Sequence, residues 1–312
     1  SFWKRGNMDP VLVQLGPLAI RWYGLLIALG VLAGSVWSLR EARRREMDAD
    51  ALLDMAPWLV LAGLVGARLV FVLTSPGPFF GPGGRPLDAF AIWQGGISIH
   101  GGILGILVAV FVLARRKGMS GWGVMDVLTP VGAFGIIGGR IGNLMNGTDT
   151  GGRLTDLPIG VAWPERGTET FGVVGRWIFG SDLWAYAPPV CAQVPAGEPC
   201  VVHLTPVYGA VVGLALIPIL AWAFRRSRTP GFVFAHFALW YSLLRSLIEE
   251  PFRDNPLFWP VYENASVGIG FFTLTQLVSL PIVLIALYAL LTMDPDRDVR
   301  RSKLTRRAAN RR

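Results

Sequence analysis

Residues Ser98 to Lys117 read SIHGGILGILVAVFVLARRK, an unbroken apolar run over 98–114 with His100 in its first turn and three basic residues at its end. About 20 apolar residues suffice for an α-helix to cross the hydrocarbon of a bilayer. Working outward, six more runs of this kind lie at about 17–38, 56–75, 123–145, 206–224, 231–250 and 267–292. The fold class expected is therefore all-α: a polytopic membrane protein of about seven transmembrane helices. A small outward-facing cap, residues 147–205, separates the fourth helix from the fifth.

Composition agrees. Of 312 residues, 52% are hydrophobic and 16% charged, against roughly 25% charged in an ordinary soluble domain. The net charge of +8 would suit nucleic acid. The basic residues, however, form short runs between apolar segments, a membrane pattern that argues for no nucleic-acid partner. Arg40, Arg43, Arg44 and Arg45 form one run, Arg115, Arg116 and Lys117 the next, Arg225, Arg226 and Arg228 the third, and the tail from Arg297 to Arg312 the last. These runs fall in alternate loops. The positive-inside rule then places the N-terminus outside and the C-terminus in the cytoplasm. Residues 1–7, ahead of Met8, read as an extension. Residues 8–293 form the seven-helix membrane domain and 294–312 a basic cytoplasmic tail.

The outward loops carry their own signals. Loop 76–97 is rich in Gly and Pro, and the cap has strand-like pieces such as Gly172–Ile178 between turn residues. Cys191 and Cys200 are the two cysteines of the chain, and both fall in the cap. A disulfide, two free thiols and a Cys200-x-x-His203 metal half-site are the readings left open. No phosphate-binding loop, dinucleotide fingerprint or transporter-type repeat stands out.

Charges inside a membrane are costly and mark sites. Arg68, Arg140 and Arg245 lie within expected helices. Tyr241 precedes Arg245 by four residues and Glu249 follows it by four, so all three project from broadly one helix face. Given the topology, Tyr23, His100, Arg140, Arg245 and Glu249 fall near the outer ends of four helices, with Arg68 deeper. Arg21 reads as a headgroup anchor and His236 as a core histidine. Gly95, Gly96, Gly101 and Gly102 bracket His100, and Gly139, Gly142 and Gly147 bracket Arg140 and Asn143. Glycine permits close backbone approach. Arginine in the outer leaflet suits a phospholipid phosphate, which its fork engages through two bonds at once.

The segments Ile20-Arg21-Trp22-Tyr23-Gly24, His100-Gly101-Gly102, Gly139 through Gly151, Thr205-Pro206-Val207-Tyr208, and Tyr241, Arg245 and Glu249 resemble the prolipoprotein diacylglyceryl transferases. The resemblance implies a multi-pass enzyme of the bacterial inner membrane. Such an enzyme moves the diacylglyceryl group of phosphatidylglycerol to the thiol of a prolipoprotein's lipobox cysteine. A thioether forms, glycerol phosphate leaves, and lipoprotein maturation begins. The partners implied are phosphatidylglycerol, the lipobox region of the signal peptide and membrane lipids. By resemblance, His100, Arg140 and Arg245 are the catalytic set, with His100 as base and the two arginines on phosphate. Tyr23, Arg68, Gly142, Asn143, Asn146, Tyr241 and Glu249 line the site. The sequence departs from the familiar pattern twice. Asn146-Gly147-Thr148-Asp149 stands where Asn-Gly-Glu is usual, and one residue is inserted after Arg245, around Glu249, Glu250, Pro251 and Arg253.

The chemistry agrees with this. The thiol nucleophile comes from the substrate, and the leaving phosphate needs cations where charge develops. No metal and no organic cofactor is expected. Two other classes compete. An anion transporter would spread Arg68, Arg140 and Arg245 along a pore. A non-enzymatic lipid-binding scaffold accounts poorly for glycine flanking both His100 and Arg140.

Overall fold

The computed structural model describes residues 11–15, 18–92, 95–146, 151–163, 189–195, 197–259 and 261–294. Two short antiparallel strands, β1 (Val11–Leu15) and β2 (Leu18–Arg21), lead into α1 (Trp22–Arg44). Then come α2 (Ala49–Thr74), the short α3 (Gly77–Phe80), a 3₁₀ turn (Pro86–Phe90), α4 (Ile99–Arg116) and α5 (Gly121–Asn146). The cap contributes β3 (Gly151–Leu154), β4 (Val161–Trp163) and β5 (Cys200–Leu204), in the antiparallel order β3-β5-β4. The chain ends with α6 (Thr205–Arg226), α7 (Phe232–Leu244), a hairpin of β6 (Glu263–Asn264) and β7 (Ile269–Gly270), and α8 (Leu274–Thr292).

Six helices among the described residues are long and apolar enough to cross a membrane: α1, α2, α4, α5, α6 and α8. Their outer faces stay apolar and bare, as with Leu284, Ile285, Tyr288 and Leu291 on α8. Such faces require lipid. The seventh expected span, 231–250, is helical but not one regular helix. After Leu244 it widens into a π turn (Arg245–Glu249) and tightens into a 3₁₀ turn (Glu250–Phe252). The last span starts later than the expected 267. Gly268 takes a left-handed φ of +70°, and the Thr273 side chain accepts from the Gln276 N–H at 3.3 Å while the Gln276 side chain accepts from the Thr273 N–H at 3.1 Å. This capping box satisfies end donors reciprocally and fixes where the helix begins.

The chain divides into two compact units, one of Ser1–Trp37, Thr129–Arg228 and Phe232–Arg312, the other of Ser38–Leu128 and Thr229–Gly231. The second unit is built on the seam between α2 and α4. A Cβ on Gly101 would run into the Gly66 carbonyl, and one on Gly105 would fall 3.3 Å from the Gly66 Cα. Small residues let membrane helices touch backbone to backbone where no hydrophobic drive separates them from lipid. Gly101, beside His100, is thus accounted for by packing. In the first unit α1 meets α5 in the same manner, with Gly138 against Leu26 and Gly142 against Tyr23.

The cap has a small core of Val190, Cys200 and Val202. Cys191 and Cys200 are joined in a disulfide with Cα atoms 5.5 Å apart, which settles the open reading of the cysteines. His203 is not a metal half-site. Its Nε2 donates to the Val267 carbonyl at 2.8 Å, so its Nδ1 accepts from the Tyr208 hydroxyl at 2.9 Å. Burial pushes the His203 pKa below its ordinary value, against the pull of the Val267 carbonyl. The strand-like piece Gly172–Ile178 and the tail 295–312 lie outside the described residues.

Candidate active site

In the first unit, one buried carboxylate gathers three arginines. Glu249 closes the π turn with its side chain 1% exposed. Its Oε1 is in contact with Arg140 Nη2 from α5, and accepts from Arg253 Nη1 at 3.2 Å. Its Oε2 faces Arg245 Nη1 at 3.8 Å. Breaking one member of such a buried set leaves a charge uncompensated, commonly at about 3–5 kcal/mol. Gly209, in the first turns of α6, makes room for the pair. A Cβ there would fall 2.6 Å from Arg140 Nε and 2.8 Å from Glu249 Oε2. Strand β5 runs directly into α6, so the cap sheet fixes where Gly209 sits.

The π turn explains why both glutamates reach Arg245. The Glu250 N–H bonds the Arg245 carbonyl, an i to i+5 closure. A one-residue insertion in a helix produces this kind of bulge. Glu249 and Glu250 then both lie over Arg245, with Glu250 Oε2 at 3.6 Å from Arg245 Nη2. Arg245 thus has both glutamates as ion-pair neighbours.

The arginines differ in how they are held. Among the described residues Arg245 makes one hydrogen bond, to the Tyr241 hydroxyl at 3.2 Å, and both of its carboxylate neighbours stand beyond hydrogen-bond range. Its side chain is also the most exposed of the three, at 20% against 12% for Arg140 and 13% for Arg253. Most of its five N–H donors remain to donate to an anion. Elsewhere in this unit, Tyr23 is exposed at the start of α1 and Gly142 is buried against it. Asn143 sits one turn past Gly139 and is half-buried. Asn146 ends α5, and its side chain, like Asp149, lies outside the described residues.

Arg68 and His100 belong to the second unit. Arg68 is buried and donates to four backbone carbonyls: Asp88 at 2.5 Å, Ala89 at 2.8 Å, Gly95 at 2.5 Å and Gly96 at 2.7 Å. Phe71 and Phe79 stack on its guanidinium. The side chain therefore organises loop 76–98 rather than presenting a fork to substrate. His100 is exposed in the first turn of α4, behind the Ser98 cap.

Sequence reasoning missed two features, one in the site and one in the second unit. Arg253 falls past Pro251, beyond the expected span, and Glu250 is the last residue of that span; the bulge that turns both toward Arg245 and Glu249 is not encoded by hydropathy. The other is the buried Asp126 in α5, which stands 3.5 Å from Arg45 and accepts from the Gly231 N–H at 2.9 Å. A lone acid inside the apolar run 123–145 was its signal.

The comparisons with known proteins point one way. The sequence model of the prolipoprotein diacylglyceryl transferase family matches residues 10–292. A phosphatidylglycerol--prolipoprotein diacylglyceryl transferase of Thermus thermophilus is 48% identical over 279 residues, covering 89% of this chain and 96% of that protein. Its counterpart in Deinococcus radiodurans is 42% identical over 302 residues, 95% of this chain and 88% of that protein. One from Synechococcus elongatus is 37% identical over 247 residues, 77% of this chain and 75% of that protein. With a match that spans every described helix, the chain belongs to the prolipoprotein diacylglyceryl transferase family.

Proposed function

We propose that this protein transfers the diacylglyceryl group of phosphatidylglycerol to the lipobox cysteine of a prolipoprotein. The substrate thiolate attacks the diacylglycerol carbon that bears the phosphate. A C–S bond forms as the C–O bond breaks, and the electron pair leaves with glycerol phosphate. Arg245 and Arg140 bind the phosphate and stabilise the charge that grows on it. Glu249 holds Arg140 and Arg253 in place, while Tyr23, Gly142, Asn143, Asn146 and Tyr241 shape the surroundings. His100 accepts the thiol proton. A thiol with an ordinary pKa near 8.5 already ionises slightly at neutral pH, so this help is modest. Arg68 serves by ordering loop 76–98. An anion-pore reading loses Arg68 as a lining residue, because four carbonyls engage it.

The observation that carries the proposal is Arg245, a cation at the end of an apolar helical run with most of its donors open. The cap and both cysteines face the outside of the inner membrane, with the C-terminus in the cytoplasm. The alternating basic loops and the disulfide, a bond of oxidising compartments, support this orientation. The test is incubation of the purified protein with phosphatidylglycerol and a lipobox peptide. The peptide should gain the mass of one diacylglyceryl unit. An unmodified peptide beside an active relative would overturn the proposal.

A further inference from the structure

We infer that Gln276, in the first turn of α8, is a positioning residue for the reaction: its side-chain amide holds the π turn that directs Glu249 and Glu250 at Arg245. The inference rests on the transferase reading of the site around Arg245.

The π turn displaces the donor that one carbonyl would ordinarily have. In a regular α-helix the Ser246 carbonyl would accept from the Glu250 N–H, four residues on. Here that N–H goes to the Arg245 carbonyl instead. The residue five positions on is Pro251, which has no N–H to give. An acceptor without a donor is costly in a membrane-spanning segment, where water cannot stand in. Gln276 supplies the missing group: its Nε2 donates to the Ser246 carbonyl at 2.8 Å. The bond reaches from α8 to the residue directly after Arg245.

The other end of the amide fixes its orientation. Gln276 Oε1 accepts from the Phe272 N–H at 2.6 Å and from the Thr273 N–H at 3.1 Å, a task for the oxygen and not the nitrogen. The NH₂ group is thereby aimed at Ser246. Thr273, the other member of the capping box, is tied to the same turn: its Oγ1 donates to Glu250 Oε1 at 2.9 Å. The cap of α8 therefore grips the π turn at two points, a main-chain carbonyl before Glu249 and a carboxylate after it. Without the Gln276 donor, the ordinary register regains its advantage, because the Glu250 N–H can satisfy Ser246 by returning to it. Glu249 and Glu250 would then leave their places over Arg245, and Glu249 its contact with Arg140. A misplacement of about 1 Å in a catalytic group can cost about 10²-fold in rate.

The experiment uses the full-length protein in detergent, with phosphatidylglycerol and a lipobox peptide. Two variants share the loss of the donor and differ in everything else. Gln276→Glu keeps an oxygen for both N–H groups, and with it the capping box, but has no amide for Ser246. Gln276→Met removes donor and cap together and brings no charge. In both, kcat should fall about 10–100-fold while KM for phosphatidylglycerol changes by less than about threefold. Hydrogen exchange across residues 245–253 should quicken in both, and the melting temperature should drop chiefly in Gln276→Met. A purely structural cap would give the other order, with Gln276→Met impaired and Gln276→Glu intact. Wild-type kcat in folded Gln276→Glu overturns the proposal, and so does a loss confined to that variant, which would be an effect of its charge. Should Gln276→Glu not fold, wild-type kcat in Gln276→Met overturns it equally. Should neither fold, the wild type decides: residues 245–253 should exchange together with the start of α8, and opening more than about tenfold faster would sink the idea. An inactive wild type defeats the transferase reading. The tie is then still read by exchange, and unchanged exchange at 245–253 in both variants overturns it.

Discussion

Arg68 and Arg245 are both arginines within apolar helical segments, and they are neutralised in opposite ways. Four neutral carbonyls surround Arg68, whose donors are nearly all used while its charge is left whole. Two carboxylates flank Arg245 at 3.6 and 3.8 Å, so its charge is offset while its donors stay largely open. The first arrangement fixes a loop and has little left to offer a ligand. The second suits an incoming anion, because the guanidinium need not abandon good hydrogen bonds to receive it. Burial alone does not tell a structural arginine from a binding one; the chemistry of its acceptors does.

The contrast can be broken by substitution. Arg245→Lys should lower kcat/KM by about 10²–10³, the usual cost of losing a stabiliser of developing charge, with the melting temperature in detergent nearly unchanged. Near-normal turnover would remove Arg245 from the chemistry. Arg140→Lys should cost less, about 10–100-fold on the same scale, because Arg140 already pairs with Glu249, and part of the loss should appear as lowered stability. A larger activity loss than in Arg245→Lys would reverse the ranking. Arg68→Met should act on stability instead, by about 3 kcal/mol, the cost of leaving buried carbonyls without their charged donor. Its KM for phosphatidylglycerol should stay within about twofold, well under the tenfold that 1.4 kcal/mol represents. A KM change without a stability change would make Arg68 a ligand after all.

The smallest effects concern the histidines. His100→Gln should lower turnover less than Arg140→Lys does, and the loss should shrink as pH rises toward the thiol's own pKa near 8.5. Persistent inactivity at high pH would give His100 a larger role. His203 supplies a pH signature outside the membrane segments. Its folded pKa lies below the unfolded value of about 6.5. The unfolded chain therefore binds more protons just below pH 6.5, so this stability is complete above that pH and is lost as pH falls. Asp254 acts with the opposite sign. Burial raises its pKa from 3.8 despite Arg153, so its contribution is lost as pH rises from there. The difference between wild type and His203→Gln isolates the histidine, and parallel melting curves from pH 7 to 5 would show that it carries none of the trend.

The helices were legible because lipid imposes a length and a polarity that the sequence must display. Hydropathy located a helical segment at 231–250 even though it ends in a π turn, since apolar content is indifferent to how the backbone winds. The start of the last span was misplaced because Phe271 and Phe272 read as membrane residues, whereas the Thr273 cap and Gly268 decide the boundary. Arg140, Arg245 and Glu249 announced themselves as charges in apolar runs. The carbonyl ring around Arg68 did not, because backbone acceptors belong to no residue type. Glu250 and Arg253 were visible as letters, but their direction depended on a winding the sequence does not spell out.

That winding also bears on how such a chain can change over generations. Each residue added to an α-helix rotates everything beyond it by about 100°, following from 3.6 residues per turn. An insertion near Arg245 would ordinarily swing the following segment out of phase with the rest of the bundle. A wide turn can confine one extra residue to a single loop of backbone, so that the helix before it and the Thr273-capped helix after it keep their settings. A lineage can therefore acquire an additional acid at its most constrained position in one mutational step.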